Sequence, residues 1–178
     1  TVKVVWINSW NDPAKEKDAV SALISQGADV LTGSPNTAVQ GMAAEERGAW
    51  SIGNGSDFSK SVTKRQLTSD ILDWNSAYIE AARDVMAGKW TSQSRWRGLG
   101  DGGYCKMAPY NSAIPADVIA DVQAREKDII SGKLKVFTGP LKDRDGKQRV
   151  AAGAVLPEKE ARSMNWLLEG IEGAFPKA

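Results

Sequence analysis

The 178 residues carry 23 Lys plus Arg against 22 Asp plus Glu, a net charge of +1 that gives no electrostatic ground for binding nucleic acid or an anionic membrane surface. There is no histidine, which removes the commonest general base, the usual catalytic triads and most zinc sites. The single cysteine, Cys105, rules out an internal disulfide, and no run approaches the roughly 20 apolar residues that span a bilayer.

From Thr1 the chain enters a strand pattern almost at once, with neither an initiating Met nor a leader ahead of it, so a fragment or a processed product is expected. Val2–Ile7 is short and β-branched and reads as a strand. Asp12 is a natural N-cap, Pro13 fits a first helical position, Val20, Leu23 and Ile24 have helical spacing, and Gly27 ends that helix. Residues 28–32 form a second strand. Ser34-Pro35 opens a second helix that runs to Gly48, and residues 49–53 form a third strand. The strands are apolar without clean alternation, as in a parallel sheet covered on both faces, so the expected fold class is a doubly wound α/β layer.

Gln66–Leu72 reads as a fourth strand, followed by a helix that Asp73 caps and Gly88 ends. A glycine-rich stretch, residues 98–103, leads to a strand at 104–108. Pro115 opens a helix that stops near Gly132, and residues 133–138 read as another strand. Asp143-Arg144-Asp145-Gly146 is a turn between extended arms at 136–141 and 148–151. Pro157 opens the last helix, which is expected to run to about Leu168. Cys105, lying within that 104–108 strand, reads as a core thiol.

Ligands of open parallel sheets bind at the C-terminal ends of the strands. That rule selects three loops: residues 8–12, 32–37 and 53–57. Their candidate ligand-binding residues are Asn8, Trp10, Asp12, Ser34, Asn36, Thr37, Gly53, Gly55 and Asp57. Amide, hydroxyl and carboxylate groups would hydrogen-bond a polar small molecule, and Trp10 offers a flat stacking surface. Each polar residue taken singly is equally at home as a helix cap or turn former; what singles them out is the shared edge.

Three patterns resemble catalytic or metal motifs and lack the required context. Gly98-Leu99-Gly100-Asp101-Gly102-Gly103 fits G-x-G-x-x-G but precedes a strand instead of leaving one for a helix. Ser61-Val62-Thr63-Lys64 fits S-x-x-K without the partner motifs of serine acyl-enzymes. Asp143-x-Asp145-Gly146 lacks the later ligands of a calcium loop. No cofactor or metal is expected.

Several segments, in order, resemble the basic membrane protein family of substrate-binding proteins, the purine-nucleoside-receptor-like binding proteins of ATP-driven (ABC) importers. They are residues 4–16 (VVWINSWNDPAKE), 26–31 (QGADVL), 44–53 (AEERGAWSIG), 67–69 (LTS), 137–143 (FTGPLKD), and Met164-Asn165-Trp166 with 169–173 (EGIEG). The resemblance implies a type I periplasmic-binding-protein fold with two lobes around a cleft. Residues 1–72 would form the α/β core of the C-terminal lobe, 73–95 would cross to an N-terminal lobe supplied by another part of the protein, and 96–178 would return. The helix at 73–88 would then project from the sheet.

The resemblance further implies a purine-like small-molecule ligand, a membrane permease as partner, no nucleic acid, no catalysis, and a periplasmic or lipid-anchored cell-surface location. Trp10 stands where the family places an aromatic that stacks on the base. Where nucleoside-binding members hold ribose with an Asp and a Lys, this chain has Gly55 and Gly100, which favours a free base. A ligand-sensing domain of the same fold and a small α/β enzyme using Asp12 and Asp57 are the alternatives left open by the sequence.

Overall fold

In the computed structural model, which describes residues 1–35, 37–100 and 103–175, three parallel strands and one antiparallel strand form the main sheet. Its strands are β2 (Val30–Thr32), β3 (Trp50–Gly53), β4 (Gln66–Leu72) and β5 (Cys105–Met107), in the order β2-β3-β4-β5. β2, β3 and β4 run parallel and β5 returns antiparallel to β4. The chain is therefore α/β with parallel sheet, as expected.

Local chemistry sets the helix ends. Helix α1 (Pro13–Ser25) begins with the Asp12 carboxylate accepting from the Lys15 N–H, and it ends at Gly27, which takes the left-handed φ of 89°. Helix α2 (Val39–Glu46) starts four residues later than Pro35 suggests. The reason is Thr37: its hydroxyl accepts from the Val39 N–H and so caps the helix from outside. α1 packs on α2, α2 packs on β2 and β3, and Val20, Leu31, Ala43, Ala44 and Ala49 form the buried cluster of this unit.

The first strand is much shorter than expected. Only Val2–Lys3 (β1) is paired, and its partner is β8 (Ile171–Glu172), not β2. The Val4 N–H still donates to the Glu172 carbonyl, but the partner chain then turns at Gly173, where a Cβ would stand 2.6 Å from the Val4 carbonyl oxygen. With that pinch the ladder stops, and Val4–Ile7 has no strand to continue along.

Helix α3 (Asn75–Met86) buries none of its residues. Asp73 accepts from the Asn75 N–H at its start and pairs with Lys106, and Arg95 reaches both Glu80 and Asp84. α4 (Ala116–Ile130) ends just before Gly132.

The strand expected at 133–138 is absent. Leu134 N–H bonds back to Asp128, Thr138 Oγ1 to Lys135, and Val136 is 67% exposed, so this β-branched stretch forms a turn. Phe137–Gly139 instead meets 154–156, and β6 (Leu141–Lys142) pairs with β7 (Gln148–Val150) around the expected turn. Asp143 is buried inside that turn. Burial raises its pKa, but the Arg149 guanidinium and the N–H groups of Lys147 and Asp145 outweigh this and hold it low.

The last helix, α5 (Glu158–Arg162), stops well short of Leu168. Backbone bonds from Arg144 to Leu167 and from Glu169 to Lys142 draw residues 167–169 onto the β6–β7 hairpin instead. No helix among the described residues is long and apolar enough to cross a membrane.

Acid should weaken this fold. The Lys64 N–H first of all lowers the pKa of Glu45 from its ordinary 4.5; the Ser59 N–H acts likewise on Asp57 and the Lys106 ammonium on Asp73, each from 3.8. A carboxylate with a depressed folded pKa contributes stability that is complete above its unfolded pKa and is lost as pH falls through the folded one. The urea midpoint is expected to hold steady from pH 7 to about 5 and to fall below about 4.5. A midpoint unchanged between pH 5 and 3 would contradict it.

Candidate functional site

Of the loops that the sequence selects, residues 32–37 and 53–57 leave the C-terminal ends of β2 and β3, and residues 8–12 follow the unpaired segment Val4–Ile7; the structure brings the 32–37 loop against each of the other two. A cavity of about 540 Å³ opens between the segment Val2–Trp10 and the faces of α1 and β2. Its walls are mostly apolar (Val4, Trp6, Val20, Leu23, Leu31), and its polar groups gather where residues 8–10 meet Thr32–Pro35. Asn8, Trp10 and Ser34 all line it.

Trp10 is 71% exposed, an unusual position for a large aromatic unless something covers it. Asn8 holds a left-handed φ of 50°, tolerable for Asn and reversing the chain ahead of Trp10. Ser9 Oγ accepts from the Asn11 N–H and tightens the same turn.

Three predicted residues are occupied with architecture, Thr37 among them through its bonds to Glu16 and to the Val39 N–H. Asp12 caps α1 and pairs with Lys15, whose backbone N–H is the main reason its carboxyl sits below the usual range. Asp57 is exposed and turned toward the Ser59 N–H and Gln66 Nε2. Asn36 lies outside the described residues, as do Asp101 and Gly102 of the glycine-rich stretch.

The loop after β3 is shaped by close approach. A Cβ on Gly53 would fall 2.1 Å from Ser69 Oγ, and Ser69 is fully buried on β4. Gly55 has φ 78° and donates its N–H to the Asp70 carboxylate, which also accepts from Asn54 Nδ2. The Gly55 carbonyl accepts from the Leu72 N–H, and Leu72 pairs with Cys105 across β4 and β5. Gly100 belongs to the stretch just before β5: its carbonyl accepts from the Gly103 N–H, its φ is 106°, and a Cβ there would press on Ile130. Gly55 thus lies against one side of the end of β4, and the Gly100 stretch lies beyond β5 on the other side, where Leu99 bridges to Cys105.

Cys105 is half-buried, and burial pushes its thiol pKa up, so it is a poor nucleophile.

Two acidic residues escaped the sequence reading. Asp70 reads there as part of a strand and proves to clamp the Gly55 loop. Glu16 appears there only within the segment 4–16. It is 2% exposed, lines the large cavity, and accepts from both Thr37 Oγ1 and the Asp12 N–H. The signal available for Glu16 was its place one turn after the cap, on the face shared with Val20.

Residues 1–137 match the family model described as ABC transporter substrate-binding protein PnrA-like. Over 176 residues the chain is 38% identical to a purine-binding protein of Brucella abortus, covering 99% of this chain and 50% of that one. It is 26% identical, again over 176 residues, to a putative ABC transporter glucose-binding protein of Haloferax volcanii, of which it covers 42%. The chain therefore spans about half the length of the curated relatives it matches.

Among solved structures it resembles a transcriptional activator of the comK gene from Bacillus halodurans, with a TM-score of 0.64, 20% identity, and coverage of 72% of this chain and 46% of that one. It also resembles an ABC transporter solute-binding protein from Conexibacter woesei, with a TM-score of 0.53, 24% identity, and coverage of 70% and 42%. At these identities the two structures speak to the fold alone.

Proposed function

The chain belongs to the family of PnrA-like ABC transporter substrate-binding proteins, and from that premise we propose that it supplies one wall of a cleft that holds a purine base or a similar flat heterocycle for delivery to an importer's permease. The observation that carries this reading is Trp10. It is an exposed indole on the loop after the first strand segment, beside amide and hydroxyl groups at the sheet's C-terminal edge. The 38% identity to a purine-binding protein supports the ligand class.

The second wall would come from an N-terminal lobe. Residues 73–95 are the stretch we assign to the crossing: α3 buries nothing, and Tyr78, Ile79, Val85, Met86 and Trp90 are exposed on or just after it. The 1–72 and 96–178 stretches would form the C-terminal lobe, and the complete protein would work outside the cytoplasm.

In the complete two-lobed protein, Trp10→Ala is expected to weaken purine binding about tenfold or more. Stacking of a base on an aromatic ring is worth roughly 1–3 kcal/mol, and about 1.4 kcal/mol is a factor of ten. Titration calorimetry with adenine and guanine checks this, and unchanged affinity would remove Trp10 from the site. The 26% relative named for glucose gives a second reading, since an indole face also packs on a sugar ring. Glucose bound by the wild-type protein more tightly than any purine would favour it.

A further inference from the structure

We infer that Glu16 is a positioning residue that locks the Trp10 loop to the loop between β2 and α2, so that stacking and polar contacts reach the ligand as one preorganised surface. The inference deepens the reading of Trp10 as a ligand contact and rests on it. Glu16 projects from the first turn of α1, yet its side chain is buried against the cavity wall. One carboxylate oxygen accepts from the Asp12 N–H, at the end of the loop that carries Trp10. The other accepts from Thr37 Oγ1 at 2.5 Å, and Thr37 Oγ1 in turn accepts from the Val39 N–H that starts α2.

A buried carboxylate normally has a cation beside it. Among the described residues Glu16 makes no ion pair, and its two bonds go to the two loops. That is a costly arrangement for a helix that already has Asp12 as its cap, and α1 would form without it. What the arrangement achieves is a fixed distance between two segments 21 residues apart in sequence. Holding a site's walls in place before the ligand arrives strengthens binding by removing the ordering cost.

The test uses the complete two-lobed protein. Glu16→Met keeps the volume and removes both acceptors; Glu16→Gln keeps the shape and at least one of them. Amide hydrogen exchange is expected to rise at least fivefold at both Asp12 and Val39 in Glu16→Met, with most of the protection restored in Glu16→Gln. A rise at only one of the two amides, or at neither, overturns the inference without reference to any ligand.

Calorimetry with adenine then reads the consequence. Glu16→Met should lose about tenfold in affinity, and the double variant with Trp10→Ala should bind within about twofold of Trp10→Ala alone, because residues acting through one another are not additive. Fully additive losses would mean that Glu16 does not work through Trp10, and overturn it. A wild-type protein that binds no purine would instead refute the purine reading, leaving the exchange result to decide the role of Glu16.

Discussion

Leu31→Ala is expected to destabilise the complete protein by about 2–4 kcal/mol, the usual cost of emptying a buried leucine site. Leu31 is the middle residue of β2, 3% exposed, and its neighbours in the core are Val20 and three alanines, Ala43, Ala44 and Ala49. Alanines have no rotamer with which to fill a void, and the backbones of α1, α2 and β3 are held by their own hydrogen bonds. Only Val20 and the half-buried Leu23 and Ile24 have side chains that can shift toward the void, so the site collapses only in part. Urea unfolding should show the midpoint falling by about 1 M or more, given slopes of about 1–3 kcal/mol per molar. The control is Val136→Ala, at a valine 67% exposed on a turn, where a change within about 0.5 kcal/mol is expected. A loss at Leu31 no greater than at Val136 would remove β2 from the core.

The contrast between those two positions shows what the sequence could and could not reveal. Where a segment's conformation is decided within a few residues, its composition sufficed. Asp12, Pro13 and Gly27 bracket α1, and residues 49–53 and 66–72 appear as the strands β3 and β4. Where conformation depends on a distant partner, it did not. Val4–Ile7 and Lys133–Thr138 are both rich in strand formers. The first loses its partner at Gly173, and the second curls back through Thr138 and Leu134. Strand propensity states only that a residue suits a pleated surface, and the surface has to be there.

The candidate site divides in the same way. Trp10, Asn8, Ser34 and Thr37 follow from the rule that loops at strand ends bind ligands, whereas Glu16 stands out only once Thr37 is folded against it. Asp57 is the converse case: its chemistry suits a ligand, and in this structure its carboxylate accepts from the Ser59 N–H and Gln66 Nε2.

That use of Asp57 bears on the purine ligand proposed above for the complete protein. A free base is expected to bind at least tenfold more tightly than its nucleoside. A ribose brings hydroxyls that need fixed partners once water is excluded, and each one left unpaired costs roughly 1–3 kcal/mol. Nucleoside-binding relatives would meet them with a carboxylate and an ammonium, and here those positions are Gly55 and Gly100. Among the described residues near the Gly55 loop, Asp57 is bound to the Ser59 N–H and Gln66 Nε2, and Asp70 to the Gly55 N–H and Asn54 Nδ2. Asp70 has both oxygens engaged, so recruiting it would strain the bonds that hold the loop, whereas Asp57 takes both of its bonds on Oδ1 and would have to turn its other oxygen toward the sugar. Calorimetry on the complete protein with adenine, adenosine, guanine and guanosine decides the point. A nucleoside bound tenfold more tightly than its base would mean that the loop re-forms around the sugar. In that case Asp70→Asn should abolish the nucleoside's advantage while leaving the base's affinity within about threefold of wild type, a change of under about 0.7 kcal/mol.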